Sequence, residues 1–107
     1  MTTFDERERA YEAHFALDQE LEFKAQSRRD RMLGHWAGDL LGLTGAALDA
    51  YVTSVIKAEF EEPGDDDVFR KVLADFAEKK VDVQPQQLRQ QMDTLMAKAR
   101  ADIMSGT

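Results

Sequence analysis

Apolar residues recur along this chain at the helical period, and no stretch shows the strict alternation of a half-buried strand. The richest stretch is 31–43, RMLGHWAGDLLGL. At about 3.6 residues per turn it places Met32, Leu33, Trp36, Ala37, Leu40, Leu41 and Leu43 on one broad side, with His35 and Asp39 opposite. That pattern predicts a core helix. Residues 17–43 contain no proline and read as one long helix, docking through Leu21, Ala25, Met32, Trp36 and Leu40, with Arg28, Arg29 and Arg31 on its solvated turns. Thr44 can cap a second helix, in which Leu48, Tyr51, Val52, Val55, Ile56 and Phe60 keep an i, i+3, i+4, i+7 rhythm until Pro63-Gly64. Asp65, Asp66 and Asp67 then suit a helix N-terminus, where the macrodipole favours negative charge, ahead of Val68, Phe69, Val72, Leu73 and Phe76. After a break at 81–84, Pro85 fits a first helical turn, and Leu88, Met92, Leu95, Met96, Ala99 and Ile103 form a last stripe. Four amphipathic helices joined by short connections predict an all-α fold, a mostly antiparallel four-helix bundle over residues 17–107.

Residues 1–16 do not fit that bundle as neatly. Thr3-Phe4-Asp5-Glu6 is a capping-box pattern, in which the Thr3 hydroxyl and the Glu6 carboxylate satisfy each other's free amides at a helix start. Phe4, Tyr11 and Phe15 then share one side, whereas Leu17 and Leu21 sit roughly 120° around the same ideal helix. If the bundle is entered through Leu21, the aromatic stripe is left for another surface, although Phe4 and Tyr11 could instead fold over the bundle end. The expectation is a mobile N-terminal arm, only partly ordered when free, because a helix of this length is marginal in water.

Glycines 34, 38 and 42 recur every fourth residue along the edge of the apolar side. Two readings stay open at this point. A second backbone could approach closely there, or the glycines are a tolerated weakness with Gly42 as the C-terminal stop.

Composition narrows the partners. The formal net charge of −7 argues against nucleic acid or an anionic membrane and toward basic surfaces. The excess is local: Glu59, Glu61, Glu62, Asp65, Asp66 and Asp67 fall in one stretch without a lysine or arginine. The absence of cysteine removes disulfides, thiolate nucleophiles and cysteine metal sites. No apolar run approaches the roughly 20 residues of a membrane span, and the N-terminus has no apolar signal core, so a cytoplasmic protein without direct membrane insertion is expected.

Candidate chemistry is sparse. His14 and His35 are far apart, and neither has a second histidine at ligand spacing. The carboxylates of 61–67 are contiguous, unlike the alternating ligands of a calcium loop, so capping explains them better than a metal. Ser27, Ser54 and Ser105 have no partners that sequence can nominate, and no phosphate loop is present. An enzyme is not expected, nor a cofactor. Weak ATP or ADP binding near Arg28, Arg29 or Lys71 stays open without a motif behind it.

A resemblance carries the reading further. Met1-Thr2-Thr3-Phe4-Asp5 with Arg7 and Glu8, Tyr11-Glu12-Ala13, Phe15-Ala16, Phe23-Lys24-Ala25 with Arg28-Arg29, Leu33-Gly34 with Trp36-Ala37, and Phe60 to Val68 together resemble the zeta subunit of alphaproteobacterial F-type ATP synthases. The match runs over nearly the whole chain, in pattern more than in letters toward the C-terminus, and departs from the family at His14 and Leu17. What the resemblance implies is an inhibitor subunit, monomeric when free and peripheral on the inner-membrane enzyme. Its arm would insert at the catalytic interface of the head and block ATP hydrolysis, much as the mitochondrial inhibitor protein does. The partner-binding residues implied are Thr3, Phe4, Asp5, Arg7, Glu8, Arg9, Tyr11 and Phe15, with residues 17–107 as the docking body. A small helical interaction module with another partner, or a weak adenine-nucleotide-binding domain, are the alternatives.

Overall fold

The computed structural model describes the backbone of residues 3–60 and 65–106, and the side chains of 19–60 and 65–106. Among the described residues four helices follow one another: α1 Thr3–Leu40, α2 Gly45–Ala58, α3 Asp66–Glu78 and α4 Pro85–Met104. The all-α four-helix bundle expected from the sequence is what forms.

The pairings fix the orientation. Arg29 meets Glu59 and Gly34 meets Val52, so α1 and α2 are antiparallel, and Glu22 bonded to Arg100 while Leu33 and Ala37 share a core with Leu88 and Met92 makes α1 and α4 antiparallel too. The main core gathers Leu33 and Ala37 of α1, Val55 and Ala58 of α2, Val68, Val72 and Phe76 of α3, and Leu88 and Met92 of α4. A smaller cluster, Ala25 with Met96 and Ala99, closes the α1–α4 seam. Trp36 packs its indole edge-on to Phe76, with centroids 5.7 Å apart and planes at 85°. Tyr51 donates to Asp75 Oδ2 at 2.8 Å, which ties α2 to α3, and Lys71, one turn before Asp75 on α3, donates to the same oxygen at 3.1 Å. Burial, and then the bond to Asp75, push the Tyr51 phenol upward.

Both readings of the spaced glycines hold, at different positions. Gly42 has φ +79°, and the amides of Leu43 and Gly42 reach back to the carbonyls of Gly38 and Asp39, so α1 is closed by a left-handed glycine two residues after Leu40 rather than running to Leu43. Gly34 and Gly38 serve the close approach instead. A Cβ on Gly34 would stand 2.9 Å from the Val52 Cα, whereas one on Gly38 would collide with the Cδ1 end of Leu48. Ala normally gains about 1 kcal/mol over Gly inside a helix. At position 34 backbone must move, so Gly34→Ala should be destabilising by about 1 to 3 kcal/mol despite that gain. At position 38 a flexible side chain can swing aside, so Gly38→Ala should cost clearly less. Thermal melts of the two variants check the order, and equal melting points would mean that the α1–α2 backbones are free to separate.

Three expectations need correction. Leu40 is 45% exposed, because α1 ends there and the chain turns away before the core can cover it. Phe60 lies beyond the last turn of α2 and is 63% exposed, its ring 6.2 Å from that of Phe23. Arg29, expected on a solvated turn, is 1% exposed and among the most deeply buried side chains.

Candidate functional site

Thr3, Phe4, Asp5, Arg7, Glu8, Arg9, Tyr11 and Phe15, the residues expected to meet a partner, lie outside the described side chains, as does the mobility expected of the arm. What is described is the seam into which that segment leads. Arg100 of α4 grips Glu22 with two bonds, Nη2 to Oε1 at 2.6 Å and Nε to Oε2 at 3.2 Å, a fork geometry that orients both side chains. Arg28 bonds Asp102 at 3.1 Å on the same seam. Between them Leu21, Ala25, Ile103 and Met104 line a small groove of about 220 Å³. Met104, the last residue of α4, is 77% exposed at its mouth.

One turn further into the bundle lies a cluster that the sequence did not disclose. Arg29 donates from Nε to Asp30 Oδ1 at 2.6 Å and from Nη2 to Asp65 Oδ1 at 2.8 Å and Glu59 Oε2 at 3.3 Å. A single guanidinium thus joins α1 to the end of α2 and the start of α3. Burial alone would lower its pKa, but the Asp65 bond and the Asp30 charge outweigh burial and raise it. Asp65 is held below the usual carboxylate range by its bond to Arg29, against a smaller opposing effect of burial. Asp30 goes the other way: burial, which Arg29 only partly offsets and which a carboxyl contact with Glu59 reinforces, pushes it up to about 7.

The acidic turn is therefore more than a capping device. Asp65 is the N-cap of α3 but makes no side-chain cap bond, spending its carboxylate on Arg29. Asp66 pairs with Arg89, whose guanidinium carbon stands 4.0 Å from the Phe69 ring centre, and Asp67 pairs with Arg70 on the next turn. Asp66 and Asp67 do occupy the first turn of α3, where the dipole term expected from the sequence applies. Thr44 likewise sits at the N-cap of α2 without a side-chain cap bond. Among the described residues, no group of three or more His, Cys, Asp or Glu side chains could hold a metal ion, and no helix is long and apolar enough to cross a membrane. The cations named for nucleotide binding each meet a carboxylate: Arg28 on Asp102, Arg29 on its three acids, Lys71 on Asp75. An open groove of about 570 Å³ between α2 and α3 is lined by Ser54, Lys57, Ala58, Asp67, Arg70 and Lys71.

Comparison with known proteins gives this arrangement a family. None of the curated proteins matches the chain. A solved protein, known as a solution NMR structure, is 39% identical, with a TM-score of 0.69 over 81% of this chain and 99% of its own. The family model described as ATPase inhibitor subunit zeta matches residues 1–102, arm and bundle alike. With a match of that extent over a four-helix bundle of the expected order, the chain belongs to the ATPase inhibitor subunit zeta family.

Proposed function

We propose that the chain is a non-catalytic inhibitory subunit of an F-type ATP synthase, carried on the cytoplasmic face of the enzyme. Residues 1–16 would enter the catalytic interface of the head, and residues 17–107 would serve as the docking body. The observation that carries the reading is the extent of the family match, which takes in the arm as well as the bundle. Helical phase adds a physical reason why the aromatic stripe would be available. Tyr11 and Phe15 precede Arg29 and Leu33 by 18 residues, about five whole turns, so on a regular helix they fall on the line that α1 buries in the bundle. On that count the stripe would continue the core line, where the comparison with Leu17 and Leu21 puts it out of phase. What would leave it uncovered is the end of α4 at Met104, beside Leu21. An apolar line continuing past the bundle suits a helix laid in a partner's groove, with Arg7 and Arg9 meeting acidic groups.

The test is ATP hydrolysis by the isolated catalytic sector with three added proteins: the intact chain, residues 17–107, and a Phe4→Ala, Tyr11→Ala, Phe15→Ala variant. The intact chain should slow hydrolysis, the other two should not, and ATP synthesis should be affected much less. The truncated chain should melt as the intact one does, since the core clusters lie in residues 25–99. Equal inhibition by the truncated chain would remove the arm from the mechanism. The second reading, weak adenine-nucleotide binding, draws on the groove where Lys57, Arg70 and Lys71 place three cations around Ser54. Amide shifts on adding ATP or ADP should then cluster at those residues.

A further inference from the structure

We propose that Asp30 and Glu59 hold one proton between them in the folded chain, so that the junction of α1 with the ends of α2 and α3 is a latch closed by that proton and loosened when it leaves. Asp30 is fully buried, and its Oδ2 has no hydrogen-bond partner, while Oδ1 is occupied by Arg29. Leaving a buried carboxylate oxygen without a donor is costly. The group beside it cannot help while ionised, because the Glu59 carboxylate is another acceptor, drawn into the same cluster by Arg29 Nη2 at 3.3 Å. Arg29 supplies one positive charge to three carboxyls. A single proton resolves both problems. Asp30 becomes an O–H donor toward Glu59, and the cluster sheds one of its two surplus negative charges.

The groups facing Asp30 agree with this. From its own helix Arg29 favours the ionised form, and from α2 Glu59 opposes it by hydrogen bond and by charge. From α3 Asp65 draws on the same guanidinium, and from α4 Arg89 and Arg100 act on Asp65. Burial together with Glu59 prevails, which places the Asp30 titration at about 7. The sign follows. Between about pH 4, where the unfolded carboxyl titrates, and about 7, the folded chain holds a proton that the unfolded chain has released, so stability falls as pH rises and levels off above that window. Asp65 acts at the opposite end: its depressed pKa contributes stability that is present above the usual carboxylate range and is lost in stronger acid. The latch is a property of the free bundle, whatever the arm binds.

Carboxyl carbon NMR on the full-length protein tests the shared proton directly. The Asp30 carboxyl should titrate near 7, whereas an Asp30 midpoint near the ordinary value of about 4 would overturn the latch. Unfolding by urea gives the second readout. One extra proton in the folded state makes the unfolding constant rise about tenfold per pH unit inside the window and less near the Asp30 midpoint, so about fiftyfold from pH 5 to 7. Asp30→Asn should flatten that rise and unfold less readily than the native chain at pH 8. Glu59→Gln, which offers Asp30 an amide N–H, should flatten it likewise and serves if Asp30→Asn does not fold. Variants that keep the native slope would sink the proposal.

Discussion

Replacing Arg29 with alanine is expected to cost the bundle about 3 to 5 kcal/mol, the range for stripping one partner from a buried ion pair. The side chain is 1% exposed and bonds Asp30, Glu59 and Asp65, so its removal strands three carboxyls at the meeting of three helices. Loss of the buried aliphatic stem adds a packing cost. Arg29→Lys should not restore the site, because one ammonium cannot reproduce the separate Nε and Nη2 bonds. Adding Asp30→Asn to Arg29→Ala should recover part of the loss above about pH 7, where Asp30 is ionised and the change removes one of the stranded charges. Urea unfolding measures all three variants, and a cost below about 1 kcal/mol for Arg29→Ala would place the guanidinium in water rather than in the cluster.

Phe76→Ala should be comparably severe, at about 3 to 5 kcal/mol. The ring is 1% exposed at the centre of the main core, with Trp36 edge-on to it, and no neighbouring element can close the void without leaving its own contacts. For a domain near this size the melting point should fall by more than about 12 °C. Trp36→Ala should cost less than Phe76→Ala, since Trp36 is half-buried and loses fewer contacts. Leu40→Ala, at an exposed helix end, should stay within about 0.5 kcal/mol. A Phe76→Ala variant as mild as Leu40→Ala would mean that the core relaxes around the cavity.

Periodicity made the helices legible. Val52, Val55, Val68, Val72, Phe76, Leu88, Met92 and Met96 are buried where their spacing placed them, because each helix must turn its apolar line toward the others. Pro85 opens α4 and Gly42 closes α1 for reasons local to the backbone, which sequence can carry. Not every helix end announces itself: α3 closes with Lys80 at φ 58°, and Val81 N–H returns to the Phe76 carbonyl, a turn usually given to glycine. The Arg29 cluster was not legible at all. An arginine among Arg28 and Arg31 has the look of a solvated face, and its partners Glu59 and Asp65 lie 30 and 36 residues away. Their charges were visible in the sequence, but the contact that gives them a purpose is tertiary. The candidate partner-binding residues rest on a resemblance of pattern, which local physics could support only as an unpaired aromatic stripe.

The edge-on contact of Trp36 with Phe76 has a spectroscopic consequence. Trp36 is the chain's single tryptophan and touches the main core at the place where α1 and α3 meet. Its emission therefore observes that junction without a label and is blind to the arm, which contains no indole. Fluorescence and far-ultraviolet dichroism followed through the same denaturation should superimpose if the four helices melt as one unit. A dichroism change that precedes the fluorescence change would assign the early loss to helix outside that junction, and so separate the behaviour of the arm from that of the bundle in unmodified protein.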